Sequence, residues 1–359
     1  MNVASASSDG SPFPSGSGLW KRPASSSLRT PPPSSGGGGP LRLGGHPCCY
    51  VSLTNINDPL YGQFTHAKKP DVEIGRINVV TWIDCLDLRV LAVLANSTLS
   101  STILSKHVYF SLYVPESEDM KLFYYKLKVL FPDSNLELFG QNEVKHKLNN
   151  AAPEWESRRL SIYELSPFII PSTKPSLTKF AFVSPNTIIK GSIEELFGFD
   201  LGPYTIAAAE DCTKRLGEYV NIDILNAIQR TAAMTWISDK PYDKDSCVPD
   251  LNLFLVDATK LDKNFIESIL WWDKVLNLKH ERNNPVNMVI AVAFYNRYFK
   301  LPDAWKHANS RTVSSEAKVL RYDGPSLSCS EHKIQNEPYG FGKNWQQYLP
   351  PKSDVILAN

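Results

Sequence analysis

Ile77-Asn78-Val79-Val80-Thr81-Trp82-Ile83 is short, rich in β-branched residues and almost continuously apolar. A run of that kind reads as a strand buried on both faces, as in a parallel sheet. Just behind it, Leu88, Leu91, Ala92, Ala95 and Leu99 recur at one-turn intervals and form the single apolar stripe of a helix. Val108-Tyr109-Phe110-Ser111-Leu112-Tyr113-Val114 is the next strand, residues 120–130 the next helix, and Leu136-Glu137-Leu138-Phe139 a short third strand. Alternation of this kind predicts the α/β class, a mostly parallel central sheet with helices on both faces.

The pattern continues towards the C-terminus. Phe180-Ala181-Phe182-Val183 is a strand, followed by a second apolar pair, Ile188-Ile189. A short helix over residues 193–197 and a strand over residues 204–208 come next. Leu251-Asn252-Leu253-Phe254-Leu255-Val256 is a further strand and leads into a helix through Ile269-Leu270-Trp271-Trp272. No internal repeat occurs at a fixed period.

Towards the N-terminus the composition changes. Ser, Gly and Pro fill 27 of the first 45 positions, although the 359-residue chain as a whole is 42% hydrophobic and 21% charged. Such a segment buries too little apolar surface to offset its chain entropy, so residues 1–70 are expected to be a disordered tail before one domain over residues 71–359. The tail is Ser-rich and poor in acids, which fits a plastid transit peptide; it equally fits a low-complexity linker. It lacks the apolar stretch of a signal peptide.

Several function classes fall away. The net charge is +1, without the basic footprint of a nucleic-acid-binding domain. No run of about 18 apolar residues is present to cross a bilayer as a helix. Six cysteines, two of them adjacent (Cys48 and Cys49) and the rest scattered, with none in a C-x-x-C pair, argue against a disulfide scaffold, a zinc ribbon or thioredoxin-type chemistry. There is no G-x-x-x-x-G-K-[ST], G-x-S-x-G or H-E-x-x-H. Asn96-Ser97-Thr98 is a glycosylation sequon, but it falls on the helix predicted to pack on the sheet and is expected to stay unmodified.

Longer blocks carry a resemblance. Val79-Val80-Thr81-Trp82-Ile83-Asp84 is followed by Ala92-Val93-Leu94-Ala95-Asn96-Ser97-Thr98 and then by Val108-Tyr109-Phe110-Ser111-Leu112. Pro167-Phe168-Ile169-Ile170-Pro171 precedes Leu177-Thr178-Lys179-Phe180-Ala181-Phe182-Val183-Ser184-Pro185-Asn186-Thr187-Ile188-Ile189. Leu251-Asn252-Leu253-Phe254-Leu255-Val256-Asp257, Phe294-Tyr295-Asn296 and Leu301-Pro302-Asp303-Ala304-Trp305 follow in order. Over residues 75–359 this succession resembles glycosyltransferase family 8, most nearly its plant galacturonosyltransferase and galacturonosyltransferase-like branch. The resemblance implies a GT-A fold that binds a nucleotide sugar at the C-terminal edge of the strands. It also implies retaining transfer of a hexosyl or galacturonosyl group from a UDP-sugar to a cell-wall polysaccharide such as pectin, in the Golgi.

In that family frame Thr81, Asp84, Lys179, Ser184, Asn186, Arg321 and Gly324 fall at nucleotide-sugar positions and Asn252 at a sugar-orienting, catalytic one. Asp84 also suits an N-cap, with Asp87 close by. Asn252 equally suits a bond to the backbone of the sheet. The family's activity needs a divalent cation, typically Mn²⁺, to neutralise the leaving diphosphate. Hard oxygen ligands suit that ion. Here Ser184, Pro185 and Asn186 replace the family's aspartates, Arg321 replaces its histidine ligand, and Tyr163 replaces an arginine before the Pro167 block. The resemblance therefore implies that Mn²⁺ is lost.

Arg321 admits two readings: a guanidinium can grip phosphate in the metal's place, or it can be a solvated strand-end residue paired with Asp323. Cys212 and Cys247 match positions where the branch has cysteine and stand either as a disulfide or as inert thiols. Trp271-Trp272 is expected to pack. Two functions stay open: a UDP-sugar transferase acting on a polysaccharide acceptor, or a non-catalytic homologue that partners an active glycosyltransferase subunit. Golgi, plastid and cytoplasm remain open as locations.

Overall fold

The computed structural model describes residues 75–84, 87–153, 161–232, 234–262, 264–276, 288–308, 316–322 and 342–357. The tail expected over residues 1–70 lies outside them.

A seven-stranded sheet organises the chain. Its strands are β1 (Ile77–Trp82), β2 (Val108–Val114), β3 (Asn135–Gly140), β4 (Lys179–Val183), β6 (Ile206–Arg215), β7 (Cys247–Asp257) and β8 (Phe299–Lys300), in the order β3-β2-β1-β4-β7-β6-β8. The pairs β3-β2, β2-β1, β1-β4 and β6-β8 are parallel, while β7 is antiparallel to both neighbours. Six strands therefore run one way and β7 runs back between them. Two short strands, β5 (Thr187–Ile189) and β9 (Val319–Arg321), form a separate antiparallel ladder.

Strand periodicity splits the core by face. Val79, Leu112, Ala181 and Leu255 belong to one buried cluster, joined by Leu91 and Leu94 from α1 (Leu88–Ser101) and Leu127 from α2 (Met120–Leu130). Val80, Tyr113, Phe182 and Phe254 belong to the other, with α3 (Asn142–Ala151), α4 (Ile162–Thr173), α6 (Ile222–Thr231), α7 (Phe265–Leu276) and α8 (Met288–Ala293). Helices thus cover both faces, as the near-continuous apolar strands require. The short α5 (Glu194–Phe197) and α9 (Ser353–Ile356) complete the set among the described residues.

Local chemistry explains the element that the sequence hid best. Two prolines in five residues argue against a helix, yet α4 contains both Pro167 and Pro171. A capping box starts it, with the Ser161 backbone N–H donating to Glu164 at 2.9 Å. Pro167 has no N–H for the Tyr163 carbonyl, and the Ser166 hydroxyl supplies that bond at 2.9 Å.

Other expectations meet details of packing. Residues 204–208 were expected to be a strand; β6 starts at Ile206 and runs on to Arg215 through irregular register against β7. Cys212 and Cys247 form a disulfide across those two strands. The sequon is held inside α1: Ser97 and Thr98 are buried, and the Asn96 amide donates to the Tyr348 carbonyl at 2.9 Å. Trp272 is fully buried and packs edge-on against Trp271. Among the described residues no helix is long and apolar enough to cross a membrane.

Candidate functional site

The parallel strands end together on one edge, and most of the predicted residues follow from that. β1 ends at Trp82, where the Ile83 N–H continues onto the Tyr113 carbonyl at 3.0 Å. The Gln141 amide donates to the Ile83 carbonyl at 2.6 Å and fixes the exit of the chain. Thr81 sits inside this end, fully buried, its hydroxyl without a partner among the described residues. Asp84 is exposed and accepts a bond from the Trp82 indole at 2.9 Å. Asp87, rather than Asp84, caps α1, accepting from the Arg89 N–H at 3.0 Å. The cap reading of Asp84 is thereby corrected, and its carboxylate stays at the strand end.

Ser184 lies one residue past β4, and its N–H donates to the Asn252 carbonyl at 2.7 Å. The β4–β7 register therefore continues one step and sets Asn252 opposite Ser184. The Tyr163 ring packs 5.6 Å from Phe182, and its hydroxyl reaches towards Ser184 without closing a hydrogen bond. Burial pushes that phenol up to about 12, although Ser184 and the Arg321 charge pull the other way. Tyr163 is thus a neutral group where the resemblance expects an arginine.

The next residues cross to the small ladder. The Asn186 carbonyl accepts from the Tyr322 N–H at 3.2 Å, and Thr187 is the register partner of Arg321. Arg321 is half-buried. Its expected partner Asp323, like Gly324, lies outside the described residues.

A buried polar chain, not foreseen in the sequence, links this ladder to β7. The Thr187 hydroxyl lies 3.0 Å from His307 Nε2. His307 Nδ1 is 3.3 Å from Asp250 Oδ2, which also accepts the His307 backbone N–H at 2.8 Å. Asp250 Oδ1 accepts from the Asn252 backbone N–H at 3.1 Å and from its side-chain amide at 2.7 Å. Burial alone would raise the Asp250 carboxyl; His307 and the Asn252 N–H outweigh it and hold the group well below the usual carboxylate range. Asn252 is thus oriented by a carboxylate rather than by the sheet backbone. Asp250 and His307 stand 57 positions apart, a spacing that carries no motif.

Lys179 does not join the group. It begins β4, opposite Asp257, at the other edge of the sheet. Its ammonium donates to the Phe197 and Phe199 carbonyls at 3.1 and 3.0 Å, and burial lowers its pKa. The diphosphate contact expected of Lys179 is corrected accordingly: it closes the end of α5.

The donors do not fit a Mn²⁺ site. Ser184 and Asn186 bring no charge, the facing strand brings the cation Arg321, and Asp250 spends both oxygens on Asn252 and His307. Beside the exposed Asp84 carboxylate, the stretch from Ser184 to the facing Arg321 offers hydroxyl, amide and guanidinium groups, which suit a phosphate-bearing anion.

No family model matches the sequence, and no curated protein matches it. Solved structures match the fold. One is WbbM, a bifunctional glycosyltransferase in its apo form, with a TM-score of 0.50 and 15% identity over 79% of this chain and 51% of the other. This chain therefore spans about half of WbbM. Another is the galactosyltransferase LgtC with donor and acceptor sugar analogues, with a TM-score of 0.50 and 12% identity over 78% of this chain and 100% of the other. The fold is GT-A. At these identities the likeness carries the architecture, and the seven-stranded, mostly parallel sheet agrees with it.

Proposed function

We propose that this GT-A chain transfers a sugar from a UDP-sugar to a saccharide hydroxyl, with Arg321 in the place of the metal ion. The observation that carries the reading is the register of the small ladder. It sets Arg321 opposite Thr187, immediately after the Ser184–Asn186 segment, and within electrostatic reach of Tyr163 at Ser184. As the bond from the anomeric carbon to the diphosphate breaks, negative charge gathers on the leaving UDP. A guanidinium can hold two phosphate oxygens at once without a cation. Asp84 at the end of β1 serves the nucleoside, Ser184 and Asn186 bond the diphosphate, and Asn252, fixed by Asp250, orients the sugar. The Cys212–Cys247 disulfide supports an oxidising compartment such as the Golgi lumen. A galacturonosyl donor and a pectic acceptor are the finest form of this proposal and rest on the resemblance.

Calorimetric titration with UDP tests it. Binding is expected in EDTA, with Mn²⁺ adding little, and Arg321→Ala is expected to weaken it at least about tenfold, the size of a lost charged contact. Binding that needs Mn²⁺ overturns the role of Arg321. No binding under either condition overturns the transferase reading in favour of a non-catalytic partner, the function that uncharged Ser184 and Asn186 would fit.

A further inference from the structure

A cavity of about 210 Å³ opens on the same sheet edge, where β6, β7 and β8 meet the end of α8. Glu210, Asp245, Tyr295, Asn296, Tyr298 and Lys300 line it. None of the nucleotide-site residues does. Drug-sized ligands usually occupy roughly 300–1,000 Å³, so the space suits one or two sugar rings rather than a nucleotide.

Its polar groups are prearranged. Glu210 Oε1 accepts from the Tyr298 hydroxyl at 3.0 Å and from the Lys300 ammonium at 2.8 Å. Neither of these bonds uses Oε2. Burial and the adjacent carboxylate push the Tyr298 phenol well above its ordinary value, so it stays a donor. A fixed carboxylate beside an ammonium matches two neighbouring hydroxyls, one donating to Oε2 and the other accepting from Lys300. Tyr295 spends its hydroxyl on the Asp243 N–H and the Pro241 carbonyl, at 2.8 and 3.1 Å. With both phenols bonded, neither tyrosine brings a free hydroxyl to the cavity, and what each lends its wall is ring carbon, which suits the C–H groups of a pyranose.

Asn296, between the two tyrosines, has φ of 55°. A left-handed backbone is unfavourable for L-residues, least so for Asn and Gly, and such outliers gather at functional sites. The Arg297 N–H closes this turn onto the Phe294 carbonyl at 2.7 Å. Charge narrows the ligand class further. Two carboxylates against one ammonium disfavour a phosphate or a uronate.

We propose that this cavity binds a neutral pyranose through the Glu210–Lys300 pair and the Tyr295 and Tyr298 rings. Assigning that pyranose to the acceptor rests on the transferase reading. Its binding does not, so glycoside binding and UDP binding fail separately.

Saturation-transfer NMR on the full chain tests it, with the methyl β-glycosides of galactose, glucose and xylose as probes and galacturonate as the acidic control. At least one neutral glycoside is expected to bind and galacturonate is not. Glu210→Gln is expected to weaken binding roughly tenfold, as one charge-assisted bond is lost. Tyr298→Phe keeps the ring, and its fold is checked by circular dichroism. It is expected to weaken binding less, by freeing the carboxylate. Absence of transfer from all three glycosides, equal binding by Glu210→Gln and wild type, or preference for galacturonate overturns the proposal.

Discussion

Glu164 joins a favourable role to an unfavourable place. It closes the capping box of α4 from a half-buried position, and desolvation raises its carboxyl from 4.5 to about 7 against the opposing bonds from Ser161. The folded chain thus holds this proton more tightly than the unfolded chain does. Stability from this group is complete below pH 4.5 and is lost as pH rises through 7. At 1.36 kcal/mol per unit the loss is about 3 kcal/mol. Gln fills the same position in a capping box without charge. Glu164→Gln is therefore expected to be about 2 kcal/mol more stable than wild type at pH 8 and nearly equal at pH 5. Urea midpoints at both pH values decide; a gap that does not change with pH refutes the account.

Asp250 has the opposite sign. Its lowered pKa stabilises the fold above the ordinary carboxylate range and ceases to do so as pH falls. Asp250→Asn leaves His307 buried beside an uncharged amide and is expected to cost about 3 kcal/mol. Replacing Asp250 and His307 together by Leu should recover most of that loss, because an apolar pair removes both desolvation costs. A double-mutant cycle by denaturation measures the coupling; additive losses would mean the pair does not act as one.

At the scale of elements the clearest test is the β6–β7 staple. The Cys212–Cys247 bond closes a segment with a sequence separation of 35, just where the ladder is irregular. A loop of that length predicts about 3–4 kcal/mol lost on reduction. Denaturation with and without a phosphine reductant, and of Cys212→Ser, should show equal losses. Elements of this kind also mark the limit of what the sequence shows. β1 and β2 were legible as short, nearly continuous apolar runs and α1 as a single apolar stripe, and Met120–Leu130 matches its expected bounds. α4 was not, because its breakers are answered by Ser166, a local bond invisible to periodicity. At the site, Ser184, Asn186, Asn252 and Asp84 share an edge because strand ends do. Asp250 and His307 meet only through tertiary folding, and Lys179, placed at the site by the family frame, stands at the opposite end of β4.

The whole molecule couples these parts through ligand binding. A nucleotide that binds only the folded chain stabilises it by RT ln(1 + [L]/Kd), about 2.7 kcal/mol at a hundredfold excess over Kd. For a domain of this size that is about 5 °C of thermal shift, at roughly 2 °C per kcal/mol. With Arg321 as the resident cation, UDP should give this shift in EDTA, and UMP less, since it lacks the β-phosphate on which the leaving charge gathers. Salt should erode the shift, because charge carries the contact at a half-buried guanidinium. A metal-held diphosphate would behave differently, giving little shift in EDTA and a full one with Mn²⁺. Differential scanning fluorimetry over UDP, UMP, EDTA and Mn²⁺ therefore separates an arginine-based site from a metal-based one. Equal shifts from UMP and UDP would place the affinity in the nucleoside and its first phosphate and leave Arg321 without its role at the leaving group.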